Sequence, residues 1–301
     1  MARRDSQGWL FVLPAVIWLL AVNVGPAVYM VGHSFFAPRY SEERGASVRR
    51  WVGLENYRRF FAEDQLVHSI WFTVGVAVVS VAAELALGLL FAVMAWRATA
   101  FGIRLWRGLF AVPMLMAPVA VAYLATTVFA HEVGVINGLL HRLLGVPFES
   151  LPRWRSDRFW ATLAVILVEV WQWTPFCFIV FLAALAAQPE DLREAALVDG
   201  AGEWQVFWHV TLPCLRPVLL TVLLLRLIEA LKLFDVPYGL TRGGPGTWTQ
   251  TYSMWIKEVA FTRYDMGLAS AMSTMLLLAL TALGIAVLPL LRKQLAISEE
   301  P

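Results

Sequence analysis

The sequence predicts an all-α membrane protein: six transmembrane helices, with one further short helix between the fourth and fifth. Three observations carry this. Of 301 residues, 59% are hydrophobic and only 15% are charged, against roughly 25% charged in an ordinary soluble domain. Mean hydropathy is +0.65, more apolar surface than a soluble fold can hide while keeping a wettable exterior. The apolar residues also fall in six runs, each long enough for a bilayer core, which needs about 20 residues per helix. This composition excludes a disordered, collagenous or disulfide-scaffold chain. A net charge of +2, from 24 Lys and Arg against 22 Asp and Glu, does not suggest a nucleic-acid binder.

The whole chain, 1–301, reads as a single membrane domain. Its first run, 9–37, has no formal charge. It follows Arg3 and Arg4 but is too long for a signal peptide and has no small-x-small cleavage site, so an uncleaved first span is expected. The second, 70–96, holds one charge, Glu84; the third, 107–130, has none from Gly108 on; the fourth, 159–188, holds Glu169. The fifth, 208–238, is long enough but carries Arg226, Glu229, Lys232 and Asp235 beyond Pro217. The sixth, 267–291, is uncharged. Gly and Pro inside these runs (Pro14, Pro26, Pro113, Pro118, Pro175) are tolerated in membrane helices. An even number of spans puts both termini on one side. Arg97, Arg104, Arg107, Arg292 and Lys293 favour that side being cytoplasmic, whereas six arginines between Arg39 and Arg59 oppose it, so charge counting leaves orientation open.

The connection 189–213 contains a short helix by its own chemistry. Pro189 suits a first helical position. Glu190 and Asp191 complement the positive end of the helix dipole. Gly200 supplies a left-handed stop. Leu192, Ala195, Ala196 and Asp199 then share one narrow face with small side chains, on which another protein can approach the backbone.

The same stretch resembles the coupling loop of ABC-importer permeases. That pattern is Glu-Ala-Ala, Gly, an aliphatic residue and Leu-Pro at fixed spacing. Glu194, Ala195, Ala196, Gly200, Val210, Leu212 and Pro213 fill it, with Val210 where Ile is usual. Trp171, Pro175 and Phe176, then Lys232-Leu-Phe-Asp235, Gly243-Gly244-Pro245 and Gly53-Leu-Glu-Asn-Tyr57 resemble the sugar-permease branch, of the maltose, glycerol-phosphate and trehalose type. Ala184 departs from the Gly common before the loop. The resemblance implies a multi-pass protein of the inner (plasma) membrane with cytoplasmic termini and a cytoplasmic coupling helix. It implies a second permease subunit, two ATPase subunits that bind ATP and Mg, an external substrate-binding protein and a sugar substrate, with the lipid bilayer around the spans. No cofactor is expected on this chain itself, and no nucleic acid.

Charges inside a membrane are expensive and face a cavity or a partner. On the fourth span Glu169, Gln172, Trp173 and Phe176 share one helical face that combines polar groups with rings, the mixture that sugars want. On the fifth, Ile228, Glu229, Lys232 and Asp235 also follow helical spacing. The resemblance implies that these two spans line the translocation path. Competing readings are internal Glu229–Lys232 or Lys232–Asp235 pairing, lipid contact for Trp171, and a structural or snorkelling role for Arg226. Catalytic residues are not expected: no Gly-x-x-x-x-Gly-Lys loop exists to cradle phosphate, and the five histidines and two cysteines lack metal-ligand spacing. The alternative function is an ion-coupled secondary transporter of a small polar solute, which buried Glu84, Glu169 and Asp235 would serve.

Overall fold

The structure, a computed structural model, describes residues 12–41, 46–96, 108 and 110–299. The elements in order are α1 (Val12–His33), β1 (Phe36–Ser41), β2 (Ala46–Trp51), α2 (Glu55–Ala62), α3 (Gln65–Trp96), α4 (Pro118–Val128), α5 (Val135–Leu144), α6 (Arg158–Ala186), α7 (Glu190–Val198), α8 (Glu203–Val206), α9 (Leu212–Ala230), α10 (Asp235–Leu240), α11 (Tyr252–Phe261) and α12 (Met266–Glu299). Among the described residues, α1, α3, α6 and the 266–289 part of α12 are long and apolar enough to cross a membrane. The chain forms two compact units, one from 1–66 with 255–281, the other from 67–254 with 282–301.

In the first unit, α1 widens to a π turn at Leu20–Val24, where the Gly25 N–H reaches back to Leu20 O. Pro26 follows and has no N–H to continue an α ladder, which favours such a local adjustment. After Ser34, β1 and β2 form an antiparallel hairpin with Phe36 opposite Trp51. Asn56 of α2 closes it: its buried amide Nδ2 donates to Ser34 O at 2.7 Å and Phe36 O at 2.8 Å, satisfying carbonyls that burial would otherwise leave unpaired. Phe60 stacks on the fully buried Trp255 of α11. Arg59 pairs with Asp265 at 2.7 Å, and Asp265 Oδ1 in turn accepts from Leu268 N at the start of α12. Gly267 lies against the hairpin so closely that a Cβ there would overlap Phe36 O.

In the second unit α6 is the central post. Asp157 caps its N-terminus, accepting from Phe159 N and Trp160 N. One stretch packs Ala164, Val165 and Val168 with Val121 and Ala125 of α4 and with Val236 and Leu240 of α10. The next packs Cys177, Phe178 and Phe181 with Ala92 of α3 and Leu215 and Val222 of α9. Ala77 and Val81 of α3 meet Ala230 of α9.

Several predicted boundaries need correction. The first run does not stay helical to 37: α1 stops at His33, and Phe36 and Ala37 belong to the hairpin. Residues 9–11 lie outside the described residues, as does Arg107 of the third run. That third run breaks at residues 116–117, because the residue before a proline is pushed out of the helical region; Ala117 is extended (ψ 134°) and Pro118 opens α4, which ends at Val128. The fifth run, 208–238, divides. A π turn at Phe207–Thr211 leads into α9, which stops at Ala230, and α10 starts afresh at Asp235. Pro237 explains the stop, since its ring and missing N–H forbid an unbroken helix from 233 to 237. The fourth run corresponds to α6, and the sixth starts with α12, which continues past 291 to Glu299.

Gly267→Val should disrupt the hairpin and α12 junction, because the added atoms meet the Phe36 carbonyl of the backbone and the Asn56 amide bonded to it. A lower thermal midpoint and a smaller folded fraction in membranes are the expected readouts, and Thr262→Ala, at an exposed site just after α11, is the control.

Candidate functional site

Three helices of the second unit meet at one buried charge cluster. Arg226 of α9 donates from Nε to Glu84 of α3 at 2.7 Å and from Nη2 to the other oxygen of the same carboxylate at 3.2 Å. Nη2 also donates to Glu169 Oε1 of α6 at 2.9 Å. All three side chains are at most 4% exposed. The guanidinium lies over the Trp173 ring, 4.3 Å from its centroid. Glu84, which the sequence presents as a solitary acid, and Arg226, which it presents as a structural partner, are thus two corners of one network. Burying ions costs several kcal/mol each, and a two-pronged, hydrogen-bonded geometry is what offsets it.

Beside the cluster is a cavity of about 180 Å³. Of the eight predicted path residues, Glu169, Gln172, Trp173, Glu229, Lys232 and Asp235 line it, so the polar faces expected on the two helices do converge. Phe176 and Ile228 do not line it; Phe176 is edge-on to Trp173 and packs in the apolar cluster with Phe178 and Phe181. The continuous helical face expected from Ile228 to Asp235 is corrected: Lys232 sits in the turn after α9, and Asp235 is the first residue of α10. The expected internal pairing does occur, with Lys232 Nζ 2.8 Å from Glu229 Oε1. Both side chains are about half exposed, so this pair contributes little stability. Pro118, Arg226, Leu233, Phe234 and Val236 also line the cavity. Sequence spacing misses most of them because they arrive through the break at Pro237. Trp171 faces away, about half exposed, beside an apolar groove with Leu124 and Ile136.

Two polar atoms in the cavity wall have no hydrogen-bond partner, Gln172 Oε1 and Arg226 Nη1, although both residues are 1% exposed. Buried groups of this kind call for water or a ligand. Among the described residues no group of three or more His, Cys, Asp or Glu side chains could hold a metal ion.

The second predicted feature stands apart from the cavity. α7 has no buried residue; Glu190, Leu192, Glu194 and Ala195 are exposed, and Ala196 is half-buried. Pro189 is its N-cap, not its first helical residue. Asp199 is the C-cap, and Gly200 follows with φ +85°. Gly200 N donates to Leu197 O and Ala201 N to Ala196 O, both at 3.0 Å, the paired bonds of a Schellman stop. Gln188 Nε2 donates to Thr211 O at 3.0 Å, tying the loop's entry to its exit just before Pro213 in the first turn of α9.

A family described as "Binding-protein-dependent transport system inner membrane component" matches residues 84–296. That stretch spans the ion cluster, the cavity and the exposed helix. The chain belongs to this family. Among relatives, the trehalose/maltose transport system permease protein of Thermococcus litoralis is 34% identical over 275 residues, 90% of this chain and 88% of that one. The sulfoquinovosyl glycerol transport system permease protein of Agrobacterium fabrum is 33% identical over 89% of this chain and 84% of its own. A crystal structure of a bacterial ABC transporter that imports the acidic polysaccharide alginate shares the fold, with a TM-score of 0.82 at 23% identity over 97% of this chain and 96% of that chain. The family is one of transport permeases and not of enzymes.

The ion cluster generates one prediction for this permease. Arg226→Met leaves two buried carboxylates unpaired and should destabilise the second unit by about 3–5 kcal/mol. Replacing Glu84, Glu169 and Arg226 together by Leu, Leu and Met should recover most of that stability while losing transport. Thermal unfolding of the detergent-solubilised chain checks the first part, and uptake at matched protein level checks the second.

Proposed function

We propose that this chain is the membrane-spanning subunit of an ATP-driven importer that receives a carbohydrate from an external binding protein. The single observation that carries this is the family match across residues 84–296, together with relatives named for trehalose/maltose and sulfoquinovosyl glycerol transport. The cavity offers polar atoms beside the Trp173 ring, the two kinds of contact that sugar hydroxyls and C–H faces use. A bacterial alginate ABC transporter of similar fold has been solved in complex with an alginate pentasaccharide-bound periplasmic protein, which supports delivery from outside.

The chain crosses the inner membrane six times, with both termini cytoplasmic. A second permease completes the path, and two ATPase subunits, which bind ATP and Mg, dock at the coupling helices. In this reading α7 is the cytoplasmic coupling helix. It presents Leu192, Ala195, Ala196 and Asp199 to an ATPase, with Glu190, Glu194, Gly200 and Pro213 setting its start, face, stop and return. Its exposed positions, Glu190, Leu192, Glu194, Ala195 and Asp199, support a docking role, because a helix of nine residues does not hold itself together in water without packing. Six residues around the cavity, Glu169, Gln172, Trp173, Glu229, Lys232 and Asp235, line the substrate path. α6 joins the two places: from Trp173 to Ala186 is about 20 Å of helix. ATPase closure on ATP displaces α7, and packed helices transmit the shift.

Two experiments test this reading. Uptake in cells should survive a protonophore and stop on ATP depletion; the opposite pattern would establish the ion-coupled alternative. A Cβ at Gly200 meets no atom within 4 Å, so within this chain a defect there comes from backbone strain. Gly200→Ala and Gly200→Leu should therefore reduce uptake to a similar degree, and Gly200→Asn less, because Asn tolerates the left-handed region. Full uptake by Gly200→Leu at normal protein level would contradict the coupling role.

A further inference from the structure

The charge on the cavity wall speaks to which carbohydrates pass. Glu169, Glu229 and Asp235 line it together with Arg226 and Lys232, and Glu84 stands directly behind Arg226. On the wall three carboxylates thus face two cations, a formal excess of one negative charge, and the carboxylate behind Arg226 offsets that cation further. Both cations are engaged. Lys232 Nζ holds Glu229 at 2.8 Å. Arg226 is shared between Glu84 and Glu169. Among the described residues, the carboxylate of Asp235 has neither a hydrogen bond nor an ion pair, and it is only partly buried.

The unpartnered polar atoms complete the picture. Gln172 Oε1 is an acceptor and Arg226 Nη1 a donor, both buried and both on residues of the wall. A hydroxyl donates and accepts at once and suits such a mixed pair. An anionic group suits it poorly. The guanidinium already faces two carboxylates, so its free N–H offers a hydrogen bond without a free positive charge, and Gln172 Oε1 and Asp235 would repel an oxyanion. Charge mismatch at a recognition site discriminates between otherwise similar ligands.

We propose that this cavity admits neutral or cationic saccharides and rejects those bearing carboxylate, sulfonate or phosphate groups, with Asp235 as the main discriminating residue. The proposal rests on the carbohydrate reading above. It sets this chain apart from the alginate and sulfoquinovosyl glycerol transporters to which it is similar in fold or sequence.

The first test compares a strain lacking the chain with the same strain complemented. Both receive an equimolar mixture of maltose, trehalose, glucosamine, glucuronate, glucose 6-phosphate and sulfoquinovosyl glycerol, and uptake is followed by mass spectrometry. Chain-dependent uptake confined to maltose, trehalose or glucosamine supports the proposal. Chain-dependent uptake of any of the three anions overturns it and leaves the carbohydrate reading intact. Chain-dependent uptake of none of the six overturns both.

The second test reads the cavity without the external binding protein's own selectivity. In the assembled transporter, Phe234→Cys is placed at the wall in a Cys177→Ala, Cys214→Ala background. It is treated with cationic and anionic methanethiosulfonates of equal size, with rates normalised to a free thiol. The cationic reagent should react faster by roughly tenfold, and Asp235→Asn should shrink that ratio. Equal rates, a faster anionic reagent, a ratio unmoved by Asp235→Asn, or reaction with neither reagent would overturn the proposal.

Discussion

The guanidinium of Arg226 is the point on which the second unit turns. It joins α3, α6 and α9 through Glu84 and Glu169 and supports the Trp173 ring. In lipid there is little hydrophobic force between helices, so packing and polar contacts decide association. Apolar clusters above and below the charges supply the packing. The charges add what packing lacks, a unique register, because sliding any one helix by a turn would strand an ion. That constraint also sets the cavity: Gln172 and Trp173 are placed on its wall by the same stretch of α6 that carries Glu169.

Much of this was legible in the sequence, and the rest was hidden for identifiable reasons. The polar face of the fourth span could be read from 3.6-residue spacing, and Glu169, Gln172 and Trp173 do meet at one cavity. The stop at Gly200 was legible because a left-handed residue after a short acidic helix has few other uses, and the paired backbone bonds there bear out the stop. The Arg226–Glu84 contact was not legible, since the residues lie 142 positions apart and one sequence holds no information on which buried acid meets which buried base. The break between α9 and α10 was overlooked because composition remains apolar across it. Pro237 marked it all the same. The hairpin after α1 was missed for the opposite reason: its strands are charged and irregular in pattern, and Asn56 closes them from a neighbouring helix.

In the proposed reading, the cavity and α7 divide the work of a driven transporter between specificity and force. The cavity wall is crowded with charges that mostly satisfy one another. α7 has no buried residue and is held by local backbone bonds, the exposed Arg193–Glu203 ion pair, the Arg193 contact with the Trp96 ring and the loop tie from Gln188 to Thr211. An element that must follow a moving partner is expected to be weakly anchored to its own body, whereas an element that selects solutes must hold its geometry. α6 connects the two without interruption from Arg158 to Ala186, despite Pro175 within it.

What α7 touches decides its role. With Cys177 and Cys214 replaced by alanine and one cysteine placed at Ala195, an exposed position, a short thiol-to-amine crosslinker should capture a nucleotide-binding subunit in isolated membranes, with a yield that changes when ATP is added. Labelling of the same cysteine by an impermeant maleimide in intact cells, with no subunit captured, would contradict it.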